Sequence, residues 1–169
     1  FDFETKNSYS VRVRVTDAGG LTFEKVFTIT VTNVNEAPTA LALSNTSVLE
    51  NAASGTTVGT LAGTDADAGD THTYTLVSGT GSTDNASFTI TGTTISTAAV
   101  FNFEAKNSYS VRVRVTDAGG LSFEKAFTIT ITDVNEAPTL TAITDRRVYN
   151  VSTSQIVNLA GITAGPETA

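Results

Sequence analysis

The chain of 169 residues has no Cys, no Met and no Trp, a single His and only 3 Pro. Without Cys there is neither a disulfide framework nor thiolate chemistry, so stability has to come from packing, repetition or metal. Positive charge is also scarce. Lys and Arg number 10 against 17 Asp and Glu, a net charge of -7. Binding to nucleic acid depends on Lys and Arg neutralising phosphates, and this balance argues against such a partner. It suits a soluble surface protein or a cation binder. No apolar run approaches the length of a membrane span, and no secretory leader opens the chain. The sequence begins inside a repeating pattern, so that second absence says nothing about a parent protein.

What is abundant is Thr, 32 residues in all. Thr is branched at Cβ and stiff at its first torsion, which favours strands over helices. No segment carries a 3.6-residue apolar period, and the class read from the sequence is all-β.

The organisation is a duplication. "FDFETKNSYSVRVRVTDAGGL" from Phe1 returns as "FNFEAKNSYSVRVRVTDAGGL" from Phe101, and residues 1–39 match 101–139 at 33 of 39 positions. A period of 100 residues is too long for a small solenoid unit and is the size of one β-sandwich domain. "NEAPT" marks the boundary twice, with Pro38 and Pro138 suited to ending strands and stiffening linkers. The chain therefore divides into residues 1–36, the C-terminal half of one repeat; 37–136, a complete repeat; and 137–169, the N-terminal part of a third, diverged β-sandwich unit. A piece of 36 residues rarely holds a core of its own, so the expected whole is a fragment of a longer array.

Seven strands are expected in the complete repeat: 39–43, 57–61, 71–77, 87–91, 94–96, 108–116 and 121–132. In the sixth, Tyr109, Val111, Val113 and Val115 alternate with Ser110, Arg112, Arg114 and Thr116, one face buried and one wet. Asp117-Ala118-Gly119-Gly120 is a turn. By the same alternation Val11, Val13 and Val15 are expected in a core, and Phe101 or Phe103 is expected to plug the core of the full repeat.

The acids gather in short turn-like stretches: "DFE", "LEN", "TDADAGD", "VTDAGG", "NFE" and "TDVNEAP". Oxygen donors in loops, with Asn and backbone carbonyls beside them, are what Ca²⁺ requires. One His and no Cys are a poor set for zinc. Asp, Asn and Gly also simply make turns, and residue type alone leaves both readings open.

In their order and spacing these stretches resemble a cadherin-type domain of the bacterial cadherin-like branch, over residues 1–136. "VLEN" is similar to the family's acidic motif after the first strand, "TDADAGD" to its Asp-x-Asp, "DFE" to its Asp-x-Glu, "VTDAGG" to its turn before the last strand, and "VTDVNEAP" to its linker. The resemblance implies a seven-stranded Greek-key sandwich, Ig-like or cadherin-like, in tandem repeat, with Ca²⁺ at the junctions between neighbours. Carried over residue by residue, the first junction would use Asp2, Glu4, Asn33, Asn35 and Glu36 from the leading half-repeat and Asp65, Asp67 and Asp117 from the complete one. The second would use Glu50, Asn102, Glu104, Asp133, Asn135 and Glu136. Asn33 and Asn102 stand where the family has Asp, which lowers the charge offered to the ion. The third unit has no Asp-x-Asp, and Asn150 stands roughly where Glu50 does, so the second junction is expected to hold fewer ions, or none.

The function this implies is a non-catalytic, calcium-binding adhesion and spacer repeat of a bacterial surface protein, extracellular or at the cell surface. Its partners would be neighbouring repeats, and a homophilic or host-surface adhesion ligand. A metal-free Ig-like stalk and a carbohydrate-binding accessory module of a secreted enzyme are the alternatives. His72 lacks a nucleophile-elbow pattern around it, and the alternation of "THTYTL" places it on a wet strand face. Arg112 and Arg114, like Arg12 and Arg14, read as a solvated face paired with Glu124 or Glu24. Asn45, Asn85 and Asn150 begin N-x-Ser/Thr patterns.

Overall fold

The computed structural model describes residues 1–138. Of the expected third unit, 137–169, all but Ala137 and Pro138 lies outside the described residues. The regular structure among the described residues is all strand, apart from one 3₁₀ turn at Asn85–Ser87. In order come β1 (Ser8–Thr16), β2 (Thr22–Thr30), β3 (Ala40–Leu43), β4 (Ser47–Leu49), β5 (Thr57–Thr64), β6 (Thr73–Leu76), β7 (Phe88–Thr91), β8 (Thr94–Thr97), β9 (Ser108–Thr116) and β10 (Ser122–Thr132).

Strands β3–β10 form two four-stranded sheets, ordered β4-β10-β9-β6 and β3-β5-β8-β7. The alternation of β9 places Val111, Val113 and Val115 fully inside, against Leu41, Leu61 and Ile95 of the other sheet and Ile129 and Ile131 of β10. Phe101 is the plug, stacked 4.4 Å from the ring of Tyr109 and 5.4 Å from that of Phe88, while Phe103 packs at the margin.

The repeat has eight strands where seven were expected, because its first strand is shared between the sheets. β3 pairs antiparallel with β5; after a break at 44–46 the chain rejoins the opposite sheet as β4, parallel to β10, with Ile131 beside Val48. Asn45 holds the crossing. Its amide donates to Ser47 O at 2.8 Å and to Val58 O at 2.9 Å. The backbone of Asn45 passes so close to β5 that a Cβ on Gly59 would lie 2.9 Å from Asn45 O. The three residues of β4 are too few to carry a period of their own.

β1 and β2 form a separate two-stranded sheet with the register of β9 and β10: Val11 faces Phe27 as Val111 faces Phe127. Their environments are opposite. Val11, Val13 and Val15 are 41, 49 and 62% exposed, whereas their counterparts in β9 are at 0%. Among the described residues the hairpin's apolar face meets no second sheet, so the core expected around these three valines is not formed there. On the outer faces Arg12 and Arg14 pair with Glu24, and Arg112 and Arg114 with Glu124, as read from the sequence.

Candidate functional site

Among the described residues, three groups of carboxylates converge at two places. The first place is where the linker after β2 meets the loop after β5 and the turn after β9. Glu4, Glu36 and Asp67 bring carboxylate oxygens within 4.8 Å of one another, and so do Asp65, Asp70 and Asp117. The second is the far end of the full repeat, where Glu50, Glu104, Asp133 and Glu136 converge within the same limit.

Local backbone chemistry sets the first place. Asp67 Oδ1 accepts from Asn33 Nδ2 at 2.8 Å and Asp67 Oδ2 from Glu36 N at 2.9 Å, so a loop of the full repeat is bonded to the linker that precedes it. The amide of Asn33 and the N–H of Glu36 hold the Asp67 carboxyl below its ordinary range. Asn35 Nδ2 donates to Asp117 Oδ2 at 2.9 Å, and Asp117 Oδ1 closes its own turn by accepting from Leu121 N at 2.8 Å. Glu36 moves the other way: desolvation pushes its pKa up, reinforced by the charges of Glu4, Asp67 and Asp2. Like charges are crowded here beyond what the hydrogen bonds relieve.

At the second place Glu50 is buried at 2% exposure. Its carboxylate accepts Phe103 N on Oε2 and Val134 N on Oε1, both at 2.8 Å. Those two backbone donors depress its pKa, Phe103 first. Glu50 thus ties the segment after β4 to the loop before β9 and to the linker after β10. Asn51 donates to Glu136 Oε1 in the same corner.

Of the residues carried over from the resemblance, Glu4, Glu36, Asp65, Asp67, Asp117, Glu50, Glu104, Asp133 and Glu136 lie in these groups, and Asn33 and Asn35 bond directly to members of them. Asp2 and Asn102 behave alike and locally: Asp2 Oδ1 accepts from Thr5 N at 2.8 Å and Asn102 Oδ1 from Ala105 N at 2.7 Å. Asn135 is exposed beside the second group. Asp70 was not among the carried-over residues, yet it joins Asp65 and Asp117; its place in "TDADAGD" was the available signal.

Oxygen is the only donor type in these groups, which suits a hard cation. Two carboxylate oxygens, Asp70 Oδ2 and Glu136 Oε2, are inaccessible and have no hydrogen-bond donor. Buried polar atoms are ordinarily satisfied, and a cation is one partner that would satisfy them. The donor set fits Ca²⁺.

His72 is not on a wet face. Its Nε2 lies 3.3 Å from Asp65 Oδ2, and its side chain is 15% exposed. Asn85 is likewise occupied, donating to Val77 O at 2.9 Å and accepting from Arg112 N at 3.0 Å. With Asn45 holding the sheet crossing, two of the three N-x-Ser/Thr asparagines have structural work; Asn150 lies outside the described residues. No helix among the described residues is long and apolar enough to cross a membrane, which leaves β-barrels unaddressed.

A family model described as the cadherin domain matches residues 44–132. Protocadherin Fat 4 of Homo sapiens is 33% identical over 146 residues, covering 81% of this chain and 3% of that protein. Protocadherin Fat 4 of Mus musculus is 34% identical over 148 residues, again 81% and 3%. The chain thus spans about 3% of the length of these curated relatives. Among solved structures, PcdhgB3 EC1-4 aligns with a TM-score of 0.64 at 25% identity, covering 79% of this chain and 33% of that one. Protocadherin Gamma B2 extracellular cadherin domains 3-6 align at 0.66 and 19% identity, covering 83% and 36%, a likeness of fold alone.

Proposed function

Because the chain belongs to the cadherin domain family, we propose that it is a non-catalytic, calcium-binding spacer of an extracellular adhesion protein. In this reading residues 1–36 complete one repeat, 37–136 form the next and 137–169 begin a third. The junctions between them are the calcium sites. The extracellular setting is part of the same reading and rests on membership of the cadherin domain family.

One observation carries the reading. Glu4 precedes β1, Glu36 lies in the linker and Asp67 follows β5, yet their carboxylates converge within 4.8 Å. Three acids from three separate segments raise each other's energy unless a cation sits among them. Glu4, Asn33, Asn35, Glu36, Asp65, Asp67, Asp70 and Asp117 would hold ions at the first junction, with Asp2 adding charge at its edge. Glu50, Glu104, Asp133 and Glu136 would do so at the second, beside Asn102 and Asn135. Asn33 and Asn35 turn their amide nitrogens to carboxylates here, and each amide also carries an oxygen that a rotation of its last torsion would present instead. Bound Ca²⁺ supplies positive charge shared by both sides of the linker.

The physical consequence is stiffness. Repulsion among the junction acids loosens the linker, and neutralising it ties two sandwiches to one centre. Ligand that binds only the folded state stabilises it by about 2.7 kcal/mol at one hundred times its dissociation constant. Thermal melting in chelator and in millimolar Ca²⁺, with Mg²⁺ as control, tests this. A rise in Tm specific to Ca²⁺ supports the reading; no rise sinks it and leaves a metal-free stalk.

A further inference from the structure

The single His of the chain stands behind the first junction, and neither its burial nor its partner follows from a calcium site built only of oxygens. Its surroundings are specific. His72 and Tyr74, two residues apart, project to the same side, with ring centroids 6.5 Å apart. Gly63 of β5 makes room for Val115 and the imidazole together: a Cβ there would lie 2.9 Å from Val115 Cγ2, 3.3 Å from His72 Nδ1 and 3.4 Å from its Cγ. The same Gly63 donates its N–H to Tyr74 Oη at 2.9 Å, which locks β5 to β6 at this point. The Nδ1 side of the ring is therefore turned to β5, and Nε2 faces Asp65 Oδ2 at 3.3 Å. Asp65 is itself held at both oxygens, since its Oδ1 accepts from Asp67 N at 3.2 Å. Its side chain is 4% exposed.

We propose that His72 is a positioning residue for the first junction, donating Nε2–H to Asp65 Oδ2 and so fixing that carboxylate where it meets Asp70 and Asp117. The inference rests on the calcium reading of this junction. An Asp free to rotate would have to be ordered by the ion at the ion's expense in affinity, whereas one already bonded at both oxygens is ordered beforehand. Partners of metal ligands typically change affinity by about 10–100-fold when removed. A histidine merely filling space over Gly63 would leave affinity alone.

Two measurements test the assignment. In metal-free protein, ¹⁵N spectra of the imidazole should show a proton on Nε2; a ring protonated at Nδ1 alone overturns the proposal with no reference to calcium. In calorimetric Ca²⁺ titration, His72→Leu should weaken the ions bound at the first junction about 10-fold, and His72→Gln, whose amide keeps a donor at similar reach, should recover most of that loss. Melting in chelator establishes that both variants are folded. Unchanged affinity in His72→Leu, or equal loss in Leu and Gln variants, overturns the role of His72 while calcium binding stands. Wild-type protein that binds no Ca²⁺ overturns the junction reading itself.

Discussion

Asn35 and Asp117, 82 residues apart in sequence, are joined by a hydrogen bond of 2.9 Å from the Asn35 amide to Asp117 Oδ2. The amide lies flat against the next turn: a Cβ on Gly119 would meet Asn35 Cγ, Nδ2 and Oδ1, each at 2.6 Å. Gly119 is therefore required by the linker, whereas the left-handed position of the turn is Gly120, at φ 89°. The contact is where the linker of the leading hairpin is seated on the full repeat.

Gly119→Ala should unseat that amide. The displaced group is the end of a flexible side chain, so the sandwich itself should lose no more than about 0.5 kcal/mol. The linker should become mobile, visible as increased ¹⁵N relaxation disorder over residues 33–38. If those residues keep wild-type order, the contact with Gly119 does not seat the linker.

The duplicated hairpins offer an internal control for burial. Val111→Ala removes two buried carbon groups and should cost about 2 kcal/mol. Val11→Ala, the same change in the same local sequence, should cost the chain less than about 0.5 kcal/mol. Denaturant unfolding of the two variants measures both; equal losses would mean that the leading hairpin is covered in solution.

Glu50 predicts an acid limb in stability. Its pKa is lower in the folded than in the unfolded chain because the N–H groups of Phe103 and Val134 bond its carboxylate. Its contribution is therefore complete above about pH 4.5, the ordinary value, and is lost as pH falls below that through the folded value. In chelator, the fall in Tm between neutral pH and pH 3 should be shallower for Glu50→Gln than for wild type. Parallel curves would mean that the carboxylate's charge does not strengthen these two bonds.

Asn45→Ala removes both amide donors from the sheet crossing and leaves Ser47 O and Val58 O without them. The expected cost is about 1–3 kcal/mol, measured by chemical denaturation. A neutral outcome would mean that the approach of Gly59 alone holds the crossing.

Much of the fold was legible because repetition and alternation are local. Nine residues of period two placed Val111, Val113 and Val115 inside, and 33 matching positions out of 39 gave the hundred-residue period of the sequence. β4 was not legible: three residues joining a sheet in parallel carry no period of their own, and their strand character comes from β10. Most of the candidate ligands were legible as motifs. Asp70 stands in "TDADAGD" with the other acids, but only the return of its loop brings it to Asp65 and Asp117. The wet face expected for His72 fails because alternation says which residues share a face, and says nothing of whether a glycine on the opposite sheet has left room for a ring.

The sequence by itself determined the strand class, the hundred-residue period and the grouping of acids into turns, since each depends on residues near one another along the chain. Tertiary structure decided which acids meet, whether a valine is core or exposed, and what His72 touches. The two hairpins make the reason plain. Val11 and Val111 occupy the same local sequence and the same register, and differ only in whether a second sheet lies opposite. Burial and convergence are set by what is distant in sequence, and the local sequence carries no record of it.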